Sequence, residues 1–210
     1  MTTEWSEEQW LALWKHIGAR GDGRAAYQNL VEHYAEPHRA YHTLAHIAHC
    51  LRELAQVRHL ALNPDAVEMA LWYHDVVYDT HAKDNEEKSS GFAAMVLVCD
   101  AYLPSGFAAE VVRLILVTRH VVIPKDLNAQ LVADIDLSSL GLSEDEFEEN
   151  SRNIRREYQW VTQDEFNKGR RTFLESLLGR PRIYTTDFFH HKYEVQARRN
   201  IANSLARLEA

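Results

Sequence analysis

The chain has 210 residues, of which 46% are hydrophobic and 26% charged, enough apolar surface for one well-filled domain and too much for disorder. Glycine (8) and proline (5) are scarce, which disfavours a turn-rich all-β fold, and no apolar run approaches the length of a membrane span. The net charge of −8, with basic residues no denser than the pairs Arg155-Arg156, Arg170-Arg171 and Arg198-Arg199, argues against a duplex nucleic acid as partner.

Apolar residues recur at helical spacing from end to end. Trp10, Leu13, Trp14 and Ile17 follow Ser6, a predicted N-cap, and stop at Gly18; Trp5, Trp10 and Trp14 form a stripe that reads as core. A second helix is predicted over 24–35, ending before Pro37, and a third over 42–58 with Leu44, Ile47, Leu51 and Leu54 on one side. Asn63-Pro64 is a cap followed by proline at the first helical position, and that helix runs into Trp72-Tyr73-His74-Asp75. A polar loop at 79–88 leads to a helix over 86–102, broken by Pro104-Ser105-Gly106, then to one over 107–120. Helices over 126–140, with Gly141 as C-cap, and from the Ser143/Glu146 capping box to 160 follow. Two more, over 163–178 and 187–209, complete an expected all-α, single-domain bundle over 1–210. The N-terminus lacks the pattern of a secretory signal, and two cysteines make no disulfide framework, so a cytoplasmic setting is expected.

Twelve histidines invite a search for metal or acid–base chemistry. His42 and His46 stand at i,i+4 on the predicted third helix, with His49 beyond them. His74-Asp75 closes an apolar helix; adjacent helical residues diverge by about 100°, so both reach one ion only at a helix end or bend. Asp134 and Asp136 lie inside the apolar stretch LVADIDLSSL, where an unpaired buried carboxylate costs several kcal/mol, so they call for a cation or for a role in capping a neighbouring turn. His120 ends the run VVRLILVTRH.

The order His, His-Asp, Asp on helices resembles the HD superfamily of metal-dependent phosphohydrolases over about residues 38–140, with the helices of 143–209 packed on that core. YHTLAH at 41–46 is similar to the YHNxxH of cyclic-nucleotide phosphodiesterases; the resemblance implies His46 as a metal ligand and His42 as the acid that protonates the leaving oxygen. DLSS at 136–139 is similar to the DLSN of the same enzymes, which selects Asp136 over Asp134. HDVVYDT at 74–80 resembles the HDTxEDT of guanosine tetraphosphate hydrolases, whose Glu-Asp pair orients the attacking water; Asp79 matches, and Tyr78 replaces the Glu. With DNEEKSS following, the string also resembles a group of small bacterial HD proteins.

The ligand set implied by the resemblance is His46, His74, Asp75 and Asp136, which suits Mn²⁺, Fe²⁺, Co²⁺ or Mg²⁺ better than Zn²⁺. His42 and Asp79 are the implied catalytic residues. His120 is a candidate for a second metal or for phosphate, Glu86 or Glu87 for a multi-metal site, and Arg39, Lys83 and Arg119 for substrate anions. Arg155, Arg156 and Arg198 are further cations that could fold over the site, and Tyr158, Trp160, Tyr184 and Phe188 could line a pocket. Cys50 reads as a small buried hydrophobe. The expected activity is hydrolysis of a phosphoester of a nucleotide or small metabolite. The alternatives are a non-catalytic metal- and nucleotide-binding signalling module and an HD-fold diiron oxygenase, for which His49 and His120 would be extra ligands. The expected partners are a small phosphorylated substrate and, at most, a second copy of the chain.

Overall fold

The computed structural model describes residues 7–208; Trp5, Ser6 and the two C-terminal residues lie outside them. Among the described residues there are ten α-helices and no strand: α1 (Glu7–His16), α2 (Arg24–Tyr34), α3 (Leu44–Val57), α4 (Pro64–Tyr73), α5 (Asn85–Met95), α6 (Ser105–Leu116), α7 (Leu127–Asp136), α8 (Glu144–Glu157), α9 (Gln163–Leu178) and α10 (Asp187–Arg207). The chain is an all-α bundle.

Helix α4 is its axis. Met69, Ala70, Leu71, Trp72 and Tyr73 are all buried, so the second half of this helix is apolar around its circumference, while Asp65 and Glu68 in its first half pair with Arg58. Asn63 caps it through Oδ1, which accepts from the Ala66 N–H, and Pro64 follows at the first helical position. Helices α3, α5, α6 and α7 pack around α4 and one another. At one end, Trp10 packs edge-on against Trp72 and Tyr73. The Trp10 indole N–H donates to the Gly23 carbonyl at 2.9 Å, and the Tyr34 hydroxyl to the Trp72 carbonyl at 2.9 Å. Trp10 and Trp14 are therefore core.

Local structure departs from the predicted elements at several places; helix α6, for one, already includes Ser105 and Gly106 and ends at Leu116. Helix α3 begins at Leu44, because Thr43 takes the N-cap and accepts from the Ala45 N–H; His42 lies ahead of the helix and not on it. Helix α5 ends at Met95 and widens into a π-helical turn over 96–100, short of the predicted end. Gly141 is not a left-handed C-cap: it lies in a 3₁₀ turn over 137–141, and a Cβ there would come within 2.5 Å of the Tyr193 Cβ. Its missing side chain lets α10 approach. The Ser143/Glu146 capping box is present, and Thr162 with Glu165 forms a second one that opens α9.

The C-terminal helices are bound to the core by polar anchors. The Tyr184 hydroxyl donates to the Leu137 carbonyl, and the Asn200 amide to the carbonyls of Leu140 and Leu142, each at 2.9 Å. These contacts hold the 137–141 turn, and with it the end of α7, against α10.

Candidate metal centre

Three chain segments meet at one buried point: the first turn of α3, the end of α4 and the end of α7. His46 Nε2 lies 3.2 Å from His74 Nε2, 3.1 Å from Asp136 Oδ1 and 3.7 Å from Asp75 Oδ2. His74 Nε2 lies 2.9 Å from Asp75 Oδ2 and 3.4 Å from Asp136 Oδ1. His74 caps α4 with helical dihedrals, and Asp75 follows where the helix has ended. The divergence of adjacent helical residues is thereby resolved, and both side chains turn to one point.

The donor set fits a divalent cation. With metal–ligand bonds of about 2.1 Å, neighbouring donors lie about 3.0 Å apart in an octahedron and about 3.4 Å apart in a tetrahedron; four of the five separations here lie between 2.9 and 3.4 Å, and the His46–Asp75 distance is wider at 3.7 Å. His74 Nδ1 donates to the Leu71 carbonyl at 3.0 Å, so Nε2 is the nitrogen turned toward the cluster, where a bound cation would take the place of its proton. Burial works against every charge in the cluster. Even so, His74 holds the Asp75 and Asp136 carboxyls well below the usual range, and the two carboxylates push the His74 pKa well above that of a free imidazole. The pocket is built to gather positive charge.

Cys50 was legible only as a small buried residue, yet it borders this cluster. Its Sγ is 3.7 Å from His46 Nε2, and His46, Cys50, His74 and Asp136 each offer a ligand atom within 4.8 Å of the others. Burial, reinforced by Asp136 and Asp75, raises the thiol pKa well above its ordinary value, which disfavours the thiolate that a metal prefers.

His120 adjoins the cluster, its Nε2 2.8 Å from Asp136 Oδ2. Its backbone is left-handed, with φ 55° and ψ 19°, an uncommon conformation for a side-chain-bearing residue. The Arg180 guanidinium donates to its carbonyl and helps hold that conformation. His49 is turned away: its Nε2 pairs with the Ser138 Oγ at 2.7 Å, and burial lowers its pKa to about 4.

His42 is held by a residue the sequence did not single out. Glu157, at the end of α8, accepts from the backbone N–H groups of Ala40, Tyr41 and His42 through Oε1 at 2.7–2.9 Å. Its Oε2 accepts from His42 Nδ1 at 2.7 Å. Tyr78 stacks on the other side of the His42 ring, with centroids 4.0 Å apart and planes 27° apart. Burial would raise the Glu157 carboxyl, but these hydrogen bonds hold it at about 2; burial would lower His42, but Asp75 and Glu157 raise it. The one signal in the sequence was a glutamate closing a polar helix, which ordinarily faces solvent.

Other expected site residues lie elsewhere or are already engaged. Asp79 does not face the cluster: its side chain is 56% exposed and accepts from the His81 backbone N–H at 2.9 Å and from His81 Nδ1 at 3.0 Å, serving a turn. Arg39 is a structural arginine, its side chain buried against Glu36 and the carbonyls of His42, Asp75 and Val76. Asp134, two residues from Asp136, serves the start of α10, where it accepts from the N–H and hydroxyl groups of Thr185 and Thr186 at 2.7–3.1 Å.

The cluster opens into a cavity of about 390 Å³ whose walls include His42, Asp75, Tyr78, Lys83, Glu86 and Arg119, together with His120, Asp136, Tyr158 and Arg170. Arg119 pairs with Glu87 at 2.7 Å, and Lys83 is exposed at the cavity's edge. Glu86 is half-buried, with its carboxyl pushed up by burial, and lies within the field of Asp75. Of the expected aromatic lining, Tyr158 is present; Tyr184 is buried core, and Trp160 stacks on His81. No family model, no curated protein and no solved structure matches this chain. The site is therefore read from its own chemistry.

Proposed function

We propose that the protein is a metal-dependent phosphohydrolase of the HD type, acting on a phosphoester of a nucleotide or another small phosphorylated metabolite. The observation that carries this reading is the convergence of His46, His74, Asp75 and Asp136 beside a cavity that Asp75 and Asp136 line together with a buttressed imidazole, His42. Mn²⁺, Fe²⁺, Co²⁺ or Mg²⁺ suits two imidazoles and two carboxylates, with Zn²⁺ less favoured. Such an ion would supply Lewis acidity and a water of lowered pKa.

The chain's own groups account for the remaining steps. His42 lines the cavity while its Nδ1 is fixed on Glu157, so the ring keeps one orientation and its other nitrogen can give a proton to the leaving oxygen. Glu86 takes over the water-orienting role first expected of Asp79, because it lines the cavity and its raised pKa suits a proton acceptor. Tyr78, which replaces the Glu of the guanosine tetraphosphate hydrolases, packs on His42 instead, so hydrolysis of that nucleotide is not expected. The diiron reading needs both further imidazoles at the cluster: His120 adjoins it through Asp136, but His49 is committed to Ser138. A non-catalytic module has no need of a proton donor fixed as firmly as His42.

The test is a hydrolysis screen of phosphomonoesters, phosphodiesters and nucleotides with Mn²⁺, Co²⁺ and Mg²⁺, comparing the protein with His74→Ala. Metal-dependent release of phosphate or alcohol, absent from the variant, is the expected result. Saturable nucleotide binding with no turnover under any metal would favour the signalling module, and O₂ consumption with an iron-dependent optical band the oxygenase.

A further inference from the structure

Six arginines beside the site or proposed to reach it are occupied. Arg39 is fixed on backbone carbonyls and Glu36, and Arg119 on Glu87. Arg155 bonds Gln163 and two carbonyls, Arg156 bonds Asn153, Arg180 the His120 carbonyl, and Arg198 Glu194 with three carbonyls. Arg170 differs. It lies on α9 in the cavity wall, partly buried, and among the described residues it has no ion pair and no hydrogen bond; its guanidinium lies 5.8 Å from the centroid of the Phe173 ring.

A guanidinium carries five donors in a rigid fork, and placing it in a wall without an acceptor costs free energy that a bound anion returns. The charged and polar groups whose fields act most on Arg170 are Tyr41, Glu148 and Tyr158. Glu148 is itself paired with Arg207, and the Tyr41 hydroxyl with Ser139 at 2.7 Å. The same wall presents the apolar side chains of Leu140, Phe147, Ile154 and Phe173. A ligand filling the cavity would therefore meet the metal cluster at one place, an apolar face along its body, and a free cation at another.

We infer that Arg170 anchors a second anionic group of the substrate, so that the preferred substrate is a phosphoester carrying a further phosphate or a carboxylate on an apolar or ring-shaped body. This deepens the phosphohydrolase reading and rests on it for the position of the scissile group. Fixing a second anion orients the body and sets which phosphoester reaches the cluster, a specificity role that does not require Arg170 to touch the reacting atoms.

The test measures equilibrium binding to the manganese-loaded protein of three non-hydrolysable probes: phenylphosphonate, 4-carboxyphenylphosphonate and 1,4-phenylenebisphosphonate. The two probes that carry a second anionic group are expected to bind about tenfold or more tightly than phenylphosphonate, as one charge-assisted bidentate contact provides. Which of them gains more tells carboxylate from phosphate. Arg170→Gln is expected to erase that preference, and Arg170→Lys to keep part of it. Equal binding of all three probes, no binding of any, or equal weakening of all three in Arg170→Gln overturns the inference. The preference intact in a protein that hydrolyses no phosphoester overturns the phosphohydrolase reading and leaves a double-anion site.

Discussion

His42 Nδ1 lies 2.7 Å from Glu157 Oε2, while the other oxygen of the same carboxylate accepts three successive backbone N–H groups from the segment that carries His42. One side chain from α8 thus fixes both the loop and the ring. His42→Ala should leave metal content unchanged and slow turnover mainly on esters with poor leaving groups, by about 10²-fold or more. Glu157→Gln should fall between that variant and the unaltered protein. Rates on p-nitrophenyl and alkyl phosphate esters, measured side by side, check this. An equal loss on both ester types would remove His42 as the proton donor.

The same pair makes stability depend on pH in a defined direction. Glu157 titrates at about 2 in the fold, against about 4.3 for an unstructured glutamate. Its ionised form is favoured by folding, so the contribution is complete above the unfolded value and is lost as the pH falls through the folded one; it amounts to roughly 3 kcal/mol. Urea unfolding of the protein and of Glu157→Gln between about pH 6 and pH 3 should show the gap between them narrowing as acid is added. A gap independent of pH would contradict the assignment.

The fourth protein ligand could be Asp75 or Cys50, since both border the other three. The raised thiol pKa and the 2.9 Å approach of Asp75 to His74 favour the carboxylate. The cobalt-substituted protein should therefore lack a thiolate-to-metal charge-transfer band, Cys50→Ala should retain its metal, and Asp75→Ala should lose most of it. A charge-transfer band that disappears in Cys50→Ala would place sulfur in the coordination shell.

Asp134 and Asp136 should separate stability from metal binding. Asp134→Ala strips four hydrogen bonds from Thr185 and Thr186 at the start of α10, a loss of roughly 2–4 kcal/mol, with metal uptake preserved wherever the variant is folded. Chemical denaturation alongside metal analysis reads both effects. A metal-free but fully stable Asp134→Ala would reverse the roles.

Helical periodicity was enough to locate the helices, because apolar stripes and caps such as Asn63-Pro64 and Ser143/Glu146 are local signals. The cluster His46, His74, Asp75 and Asp136 was legible through its words and their spacing, and the structure brings those four together. The roles of Asp79, Arg39 and Arg170 were not, since a charged residue's partner depends on what the fold places opposite it. Arg39 meets carbonyls 36 and 37 residues away, and Glu157 meets a loop more than a hundred residues before it. Gly141 shows the same limit: its reason is Tyr193, on a helix that no local reading could bring alongside.

The central claim is that His46, His74, Asp75 and Asp136 together hold a divalent cation. Elemental analysis of the purified protein, dialysed and then equilibrated with Mn²⁺, Co²⁺ or Mg²⁺, tests it most directly. The account predicts saturable uptake of at least one ion per chain, abolished in His74→Ala and Asp136→Ala while circular dichroism keeps its helical form. Folded protein that takes up no ion, or variants that bind as well as the original, would contradict it.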